Sequence, residues 1–527
     1  MPERVVLCAH NKEVTLLLSS LPRLRSSLAK EQVTTFALNS SALFADSLSA
    51  HSKGGLHMNQ MQASSKQKQT ASKTSFFTKD KNFYKTLFRM LIIIGLQNLV
   101  AYSVNMADNI MLGSYDQAAL SGVTTVNQIF FMVQQIAIAT GNALVILTSQ
   151  YWGEQKIEPI RTLTGIALKF GIICSALIVG ICLFLPGPLL HIFTTDEQIV
   201  EQGLEYLSII QWTFILFMIS NILMSALRSV GTVQISFYVS LISLIVNVSI
   251  NYTLIFGHFG FPEMGVKGAA IGTLIARILE LSIIVLYLWK KDQKLHLFAG
   301  GLLKKHPALR KDFARVATPT LTSSLLWAIS VPMQTAILGH ISSDAIAANS
   351  VATTFYQYLK VIVVAMSSTS GTMIGNAIGR GDVERVKSDA RTLSVIDVII
   401  GVILGALLFI LRRPLLSLYN LSDTATELAI NLIVVMSISM VGMSYQMPVS
   451  IGIIQGGGDA KFTMIVNIVS VWCIVMPLSL MAAFWWELPV EWVVFFLQSD
   501  QLFKCIPIFL RFRSYKWIKK MTNTNAN

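Results

Sequence analysis

The sequence predicts an all-α polytopic membrane protein whose twelve transmembrane helices form two six-helix bundles related by an internal repeat. Three observations lead to this prediction. Only 13% of the 527 residues are charged and 53% are hydrophobic, whereas about 25% of the residues of a soluble domain are charged. The apolar residues form blocks of the length that crosses a bilayer, about 20 residues per helix. Motifs of the first half also recur in the second half at a nearly constant distance.

The first 83 residues precede the predicted spans and differ from them in composition. They are rich in Ser, Lys and Gln, and their one apolar stretch, 14–21, is too short to cross a bilayer. We therefore expect residues 1–83 to be a disordered or non-native extension. Met58 stands before a polar run that leads into the first span, which makes it an alternative candidate for the start of translation.

Twelve apolar segments follow, and the charges between them predict an orientation. Lys and Arg concentrate in alternate loops and in the last residues of the chain, so the positive-inside rule places both termini in the cytoplasm. The first six spans belong to a bundle over 84–300 and the last six to a bundle over 301–520. The predicted spans are 86–112, 118–150, 160–185, 200–226, 233–256, 267–289, 312–338, 345–377, 389–411, 426–454, 462–485 and 490–511.

The two halves repeat each other in register. Gly113 and Gly339 are 226 residues apart, Gly153 and Gly379 are also 226 apart, and another glycine pair, at 231 and 458, is 227 apart. A register that holds over so many helices predicts two bundles of the same orientation. Parallel repeats of this kind are typical of secondary transporters, whose substrate site lies between the halves near the middle of the membrane.

Composition also excludes several classes of function. The net charge of +13 comes from cations in loops and in the tail, without a basic stripe interleaved with aromatic residues, so we expect no nucleic-acid partner. The five cysteines lack metal-ligand spacing, and the eight histidines fall outside the spans without a paired pattern. No GxxxxGK[ST] phosphate-binding loop occurs in the sequence, so transport must draw on an ion gradient.

Asp108 is the acid of greatest interest because it lies inside the first apolar segment. An ionised carboxylate in a membrane costs several kcal/mol unless it is paired or protonated, and such residues are functional by default. Desolvation favours the protonated acid, so Asp108 could gain and lose a proton during transport. The alternative is an interfacial aspartate that stands in water and caps the following loop.

Asn247 and Asn251 lie four residues apart on the fifth span, so their amides share one helix face. Both begin a glycosylation-like sequon, but an enzyme cannot reach the middle of a span. The alternative to a binding role is that the two amides hold neighbouring helices together.

Five segments in order resemble the multidrug and toxin extrusion (MATE) transporter family, from about residue 84 to the end. They are DNIMLG from Asp108, NVSINYTLIF from Asn247, GAAIGT ending at Thr273, GGGDAK at 456–461 and RFRSYKW at 511–517. The resemblance implies a secondary antiporter of a bacterial inner membrane, without enzymatic activity, which exports amphipathic organic cations in exchange for H⁺ or Na⁺. Its partners would be the lipid bilayer and small molecules, and we expect a monomer.

In the family, the positions of Asp108, Asn247, Asn251 and Thr273 form the polar cluster thought to bind the coupling cation. The resemblance therefore implies no cofactor other than H⁺ or Na⁺, with Na⁺ held, if at all, by these four side chains. Some relatives carry further acids on the seventh and tenth spans. Trp327 and Val449 stand at those positions here, which predicts that the first bundle carries the coupling alone.

Two pairs of opposite charges occur on equivalent helices of the two halves. Arg277 and Glu280 are three residues apart on the sixth span, and Asp500 and Lys504 are four apart on the twelfth. We interpret both as structural ion pairs near the cytoplasmic side, with a role in binding as the alternative.

Two other classes of function compete with the antiporter. A flippase for lipid-linked sugars or another lipid precursor would need several deep cations to meet a pyrophosphate, and Lys169 and Lys360 are the main cations at mid-span. A membrane enzyme would need clustered carboxylates or histidines at mid-depth, and the sequence predicts no such cluster.

Overall fold

The computed structural model describes residues 76–302, 304, 306–341, 343–417 and 422–522. The predicted extension therefore lies outside the described residues up to residue 75, as does Met58. The first helix begins at Lys81, three residues before the predicted start of the first bundle. Within the described ranges the chain forms helices and turns and contains no β-strand.

Twelve helices are long and apolar enough to cross a membrane, as the sequence predicts, so the predicted fold class is confirmed. We number them span 1 to span 12. Their bounds are Lys81–Tyr115, Gln117–Gly153, Ile157–Phe184, Trp212–Ser229, Gln234–Phe256, Gly265–Lys290, Pro307–Gly339, Ala348–Arg380, Val383–Leu416, Asp423–Ile454, Ala460–Phe484 and Val490–Arg513. The helix that contains span 8 begins five residues earlier, at Ser343.

The segment 200–226, predicted as one helix, consists of two. A separate helix, Glu197–Ile210, ends at Gln211, and span 4 begins at Trp212. The backbone N–H of Phe214 bonds to the carbonyl of Gln211, three residues back, at 3.1 Å. This tighter turn interrupts the α-helical pattern, while the first helix has its own N-cap at Asp196.

The second half contains irregular helix that the apolar pattern does not predict. Span 10 continues beyond Met447 as a π-helical turn, Pro448–Ile454, and span 11 contains another, Val469–Val475. Pro448 has no N–H to donate to the preceding turn, which explains where the α-helical pattern ends. Turns of this kind are often found at functional sites.

The contact between spans 2 and 8 follows the sequence repeat. A Cβ added to Gly153 would lie 2.8 Å from the Cα of Gly379, and a Cβ added to Gly379 would lie 2.8 Å from the Cα of Gly153. The same two glycines also approach the carbonyl oxygens of Asn376 and Gln150, respectively. Reciprocal contacts between residues 226 apart are what a pseudo-two-fold axis between parallel halves produces.

The first helix of each half packs partly on the other half. Phe83 and Leu87 of span 1 belong to a buried cluster that is otherwise built from residues 366–517. Phe313 and Val316 of span 7 belong to the main cluster of the first half. The two bundles are therefore joined by the beginnings of spans 1 and 7, on opposite sides of the repeat.

Candidate functional site

Asp108 lies on span 1, two turns before the helix ends at Tyr115. Its Oδ1 accepts a hydrogen bond of 2.7 Å from Asn251 Nδ2 on span 5. The loop that follows is capped by another acid, Asp116, whose Oδ2 accepts from the N–H of Ala119 at 2.8 Å. The carboxylate of Asp108 thus faces the bundle, while the capping position belongs to Asp116.

A chain of polar side chains continues from Asp108 through the first bundle. Asn251 Nδ2 also lies 3.5 Å from Asn247 Oδ1, and Asn247 Nδ2 donates to the hydroxyl oxygen of Thr273 on span 6 at 3.1 Å. Asn247 is 1% exposed and Asn251 is completely buried. The four residues singled out from the sequence therefore form one connected group across spans 1, 5 and 6.

Gly272 makes room for this group. A Cβ at this position would overlap the side-chain oxygen of Asn251. That oxygen is buried and has no hydrogen-bond partner within the described part of the chain. A buried acceptor without a partner is rare in proteins, so Asn251 Oδ1 is free to accept from, or to coordinate, a bound species.

Arg277 and Glu280 lie next to the same group. Arg277 Nη1 donates to Glu280 Oε2 at 2.7 Å, and its guanidinium stacks on Phe217 at 5.0 Å from the ring centre. Arg277 is one turn beyond Thr273, and its charge acts on Asp108. The ion pair is thus part of the electrostatic surroundings of Asp108.

Tyr206 also belongs to the site, although no sequence pattern singles it out. It lies on the separate helix before span 4, is 4% exposed, and stands beside Thr273 within the field of Asp108 and Arg277. A single tyrosine in an amphipathic segment carries no spacing signal, so only the fold places it here.

The family model described as MatE matches residues 94–253 and 319–512. Together these ranges make up more than half of the chain. The chain belongs to the MATE transporter family.

Named relatives match most of this MATE chain. "Probable multidrug resistance protein NorM" of Thermotoga maritima is 25% identical over 450 residues, which cover 84% of this chain and 94% of the relative. "Uncharacterized transporter YisQ" of Bacillus subtilis is 24% identical over 445 residues, which cover 84% and 96%.

Solved MATE structures share the fold. The Vibrio cholerae MATE transporter VcmN in the bent form has a TM-score of 0.74 at 18% identity, and the match covers 82% of this chain and 97% of that one. A MOP superfamily transporter from Pyrococcus furiosus, for which the reverse polarity of the binding pocket is said to suggest a different function, also has a TM-score of 0.74 at 18% identity, with 84% of this chain and 100% of that one covered.

The second bundle of this MATE chain holds its own polar network. Lys504 Nζ donates to Asp500 Oδ2 at 2.7 Å, and both side chains are buried. Gln501 bonds to the other oxygen of Asp500 at 2.7 Å and accepts from Gln446 on span 10 at 2.8 Å. The ion pair lies within span 12, and Gln501 connects it to span 10.

Trp327 and Val449 are the residues that the resemblance predicts at the positions where some relatives carry acids. Trp327 packs against Phe131 of the first half at 6.1 Å between ring centres, and the Lys360 ammonium lies 5.3 Å from the Trp327 ring centre. Val449 is completely buried in the π-helical turn. A different buried acid, Asp397 on span 9, was not selected from the sequence.

Proposed function

We propose that this chain is a secondary antiporter that exports amphipathic organic cations across a bacterial inner membrane in exchange for H⁺ or Na⁺. Relatives named as multidrug resistance proteins support the substrate class. The observation that carries the proposal is the hydrogen bond between Asp108 and Asn251 inside the first bundle. We further propose that the protein acts as a monomer with both termini in the cytoplasm and needs no cofactor besides the coupling ion.

The charges around Asp108 explain why two cations would exclude each other. With all three groups ionised, Asp108, Arg277 and Glu280 leave one negative charge in excess. One monovalent cation neutralises that charge, and a second would leave an uncompensated positive charge away from water, which is costly. The coupling ion and a cationic substrate therefore compete for Asp108, and competition for one site is the requirement for exchange.

The hydrogen bonds suggest how either ion is accommodated. The amide of Asn251 donates to the carboxylate, so a proton on Asp108 can occupy the oxygen that this amide leaves free. A Na⁺ ion would instead use oxygens, and Asn251 Oδ1 is already without a partner. The same four side chains can thus bind either a proton or Na⁺.

An exchange of one monovalent cation for another moves no net charge, so the membrane potential contributes nothing. About 2.3 kcal/mol per 100 mV is available only to a cycle with unequal charges. A difference of one pH unit supplies about 1.4 kcal/mol. One-for-one exchange with H⁺ thus limits the accumulation of substrate to about tenfold per pH unit.

The test is efflux of a fluorescent organic cation from vesicles that contain the purified protein, with the Na⁺ gradient and the pH gradient varied separately. We expect efflux to follow one of the two gradients and to persist when the membrane potential is clamped at zero. Efflux that depends on neither the Na⁺ gradient nor the pH gradient would contradict the proposal. Movement of a lipid-linked sugar without ion-dependent efflux would favour the flippase instead.

A further inference from the structure

Asp397 is a buried acid without a partner in the second bundle. It lies in the middle of span 9 and is 1% exposed. Neither of its carboxylate oxygens has a hydrogen-bond partner, and no cation of the described residues pairs with it. A buried carboxylate is costly when it is ionised and unpaired, so this acid is a group that a bound proton would neutralise.

Two hydroxyl groups of span 10 face the same region. Gly401, one turn after Asp397, packs so closely on span 10 that an added Cβ would lie 2.7 Å from the Cβ of Ser444. The Ser444 hydroxyl is buried without a partner. The next residue, Tyr445, lies near Asp397 and Ser394, and its hydroxyl has no hydrogen-bond partner among the described residues.

Among the described residues, no charged group balances an ionised Asp397. Span 8 and the π-helical turn also pack on span 9, and their described side chains place no charge beside it. Tyr445 faces it from span 10, and Cys505 of span 12 lies beyond Tyr445. On span 9 itself, Asp389 accepts from Thr78 and is thus engaged elsewhere.

An open groove of about 680 Å³ lies between spans 9, 10 and 12 on the outer face of the protein. Its walls include Val402 and Ile438, which are exposed there. Tyr445 also lines the groove, whereas Asp397 and Ser444 do not. Of the three residues of the group, Tyr445 is therefore the one that adjoins this groove.

We propose that Asp397, together with Ser444 and Tyr445, is a second proton-binding site in this transporter, distinct from the Asp108 group. A proton that arrives adds to a carboxylate oxygen of Asp397. No hydrogen bond joins this carboxylate to Ser444 or Tyr445 in the present arrangement, so the side chains must turn toward each other before the acid O–H donates to a hydroxyl oxygen. When the proton leaves, the same hydroxyls turn and donate to the carboxylate. Hydroxyl groups suit this role because each can both donate and accept.

This site changes the expectation that the first bundle alone binds the coupling ion. Trp327 and Val449 replace the acids that some relatives carry, but Asp397 supplies a proton-binding group from a different helix. The proposal rests on the geometry of spans 9 and 10, and it stands whether or not Asp108 binds the coupling ion.

The test is infrared difference spectroscopy of the purified full chain between acid and alkaline pH, which detects the carbonyl stretch of protonated carboxylic acids. We expect a band that disappears at alkaline pH and is missing in Asp397→Asn but present in Asp108→Asn and in the span 9 control Asp389→Asn. A proton count after a pH jump should fall by one per protein in Asp397→Asn. A band that Asp397→Asn leaves intact would overturn the proposal.

Tyr445→Phe and Ser444→Ala keep the acid and remove one hydroxyl each, so they test the site even if Asp397→Asn does not fold. Because the ionised form loses a donor, the band should persist to a higher pH in both variants. An unchanged midpoint in both variants would contradict the role of the hydroxyls. A wild-type band that vanishes on addition of Na⁺ at constant pH would show a Na⁺ site and would also overturn the proposal.

Discussion

Asn251 is the side chain on which the geometry around Asp108 depends most directly, because it bonds to Asp108 at 2.7 Å. Asn251→Asp would place two carboxylates in contact in a dry pocket, where like charges make a proton bind more tightly. We expect the pH dependence of efflux to move toward alkaline pH by about one unit or more. Efflux measured over a pH series checks this, and an unchanged profile at normal expression would assign Asn251 to helix packing alone.

Asn247 offers a companion test at the other end of the polar chain. Asn247→Ala removes the contacts to Thr273 and to Asn251 and leaves the hydrogen bond between Asn251 and Asp108 in place. We expect a higher concentration of the driving ion for half-maximal efflux, since one neutral ligand is lost. Wild-type ion dependence combined with a lower thermal stability would instead show that this amide only joins the helices.

Gly272 should tolerate no side chain, because Asn251 occupies the space where a Cβ would lie. Gly272→Ala is expected to reduce ion-coupled efflux strongly, and overpacking of this kind costs about 1–3 kcal/mol of stability. Gly180→Ala on span 3 is the matched control, since nothing lies within 4 Å of an added Cβ there. Equal efflux in the two variants would contradict the proposed packing of Asn251.

The sequence could predict part of this site and not the rest. Asp108 is conspicuous as an acid within an apolar segment, and the spacing of Asn247 and Asn251 places them on one face. Tyr206 and Asp397 give no such signal, because a single polar residue forms no pattern. Their importance depends on which helices become neighbours, and the hydropathy of one segment does not specify its neighbours.

Spans 2 and 8 are in contact through Gly153 and Gly379, at the pseudo-symmetry axis between the two halves. Because Gly153 and Gly379 leave no room for a Cβ on either side, Gly153→Ala should push the two halves apart at this end. We expect a loss of about 1–3 kcal/mol in stability and slower transport, measured by thermal unfolding and by efflux. Gly180→Ala again serves as the control, and a Gly153→Ala protein that matches it would disprove the close contact.

At the scale of helices, the sequence predicted the number and the approximate bounds of the spans because twenty apolar residues in a row have few other structures available. The break at Gln211 and the π-helical turn at Pro448 were not predicted. Both keep the apolar composition of a span and change only which backbone carbonyl accepts the hydrogen bond of each N–H. Hydropathy therefore does not reveal them.

The tail, residues 514–522, joins the two halves at the end where Gly153 lies. Lys519 Nζ pairs with Asp459 of the second half at 2.7 Å, while the backbone N–H of Met521 donates to Gln150 of the first half at 2.8 Å. Lys520 pairs with Glu154 at 2.8 Å. These contacts link the two halves at this end, so a cycle that separates the halves here must release the tail.

Glu154 makes this attachment sensitive to pH. Burial by itself would raise the pKa of Glu154, but hydrogen bonds from Lys520 and Thr522 outweigh it, and the net pKa lies below its ordinary value. The attachment is therefore fully present above the usual glutamate pKa of about 4.3 and is lost as the pH falls through the lower pKa of the folded state.

Glu154→Gln should weaken the tail attachment at neutral pH by about 0.5–1 kcal/mol, since its lysine partner is largely exposed. Faster cleavage of the tail by a protease is the expected result, and the control Glu158→Gln alters an acid that pairs with Lys304 instead. Equal cleavage of both variants and of the wild type would contradict a role for Glu154 in holding the tail.

Asp108→Asn tests most directly whether one carboxylate in the first bundle couples the ion to the substrate. The measurement is accumulation of a fluorescent cation against its gradient in vesicles, with Asp116→Asn, which alters the capping acid eight residues later, as the control. We expect Asp108→Asn to fold and to lose all ion-driven accumulation, while Asp116→Asn retains it. Accumulation that still follows the ion gradient in a well-folded Asp108→Asn protein would contradict the assignment.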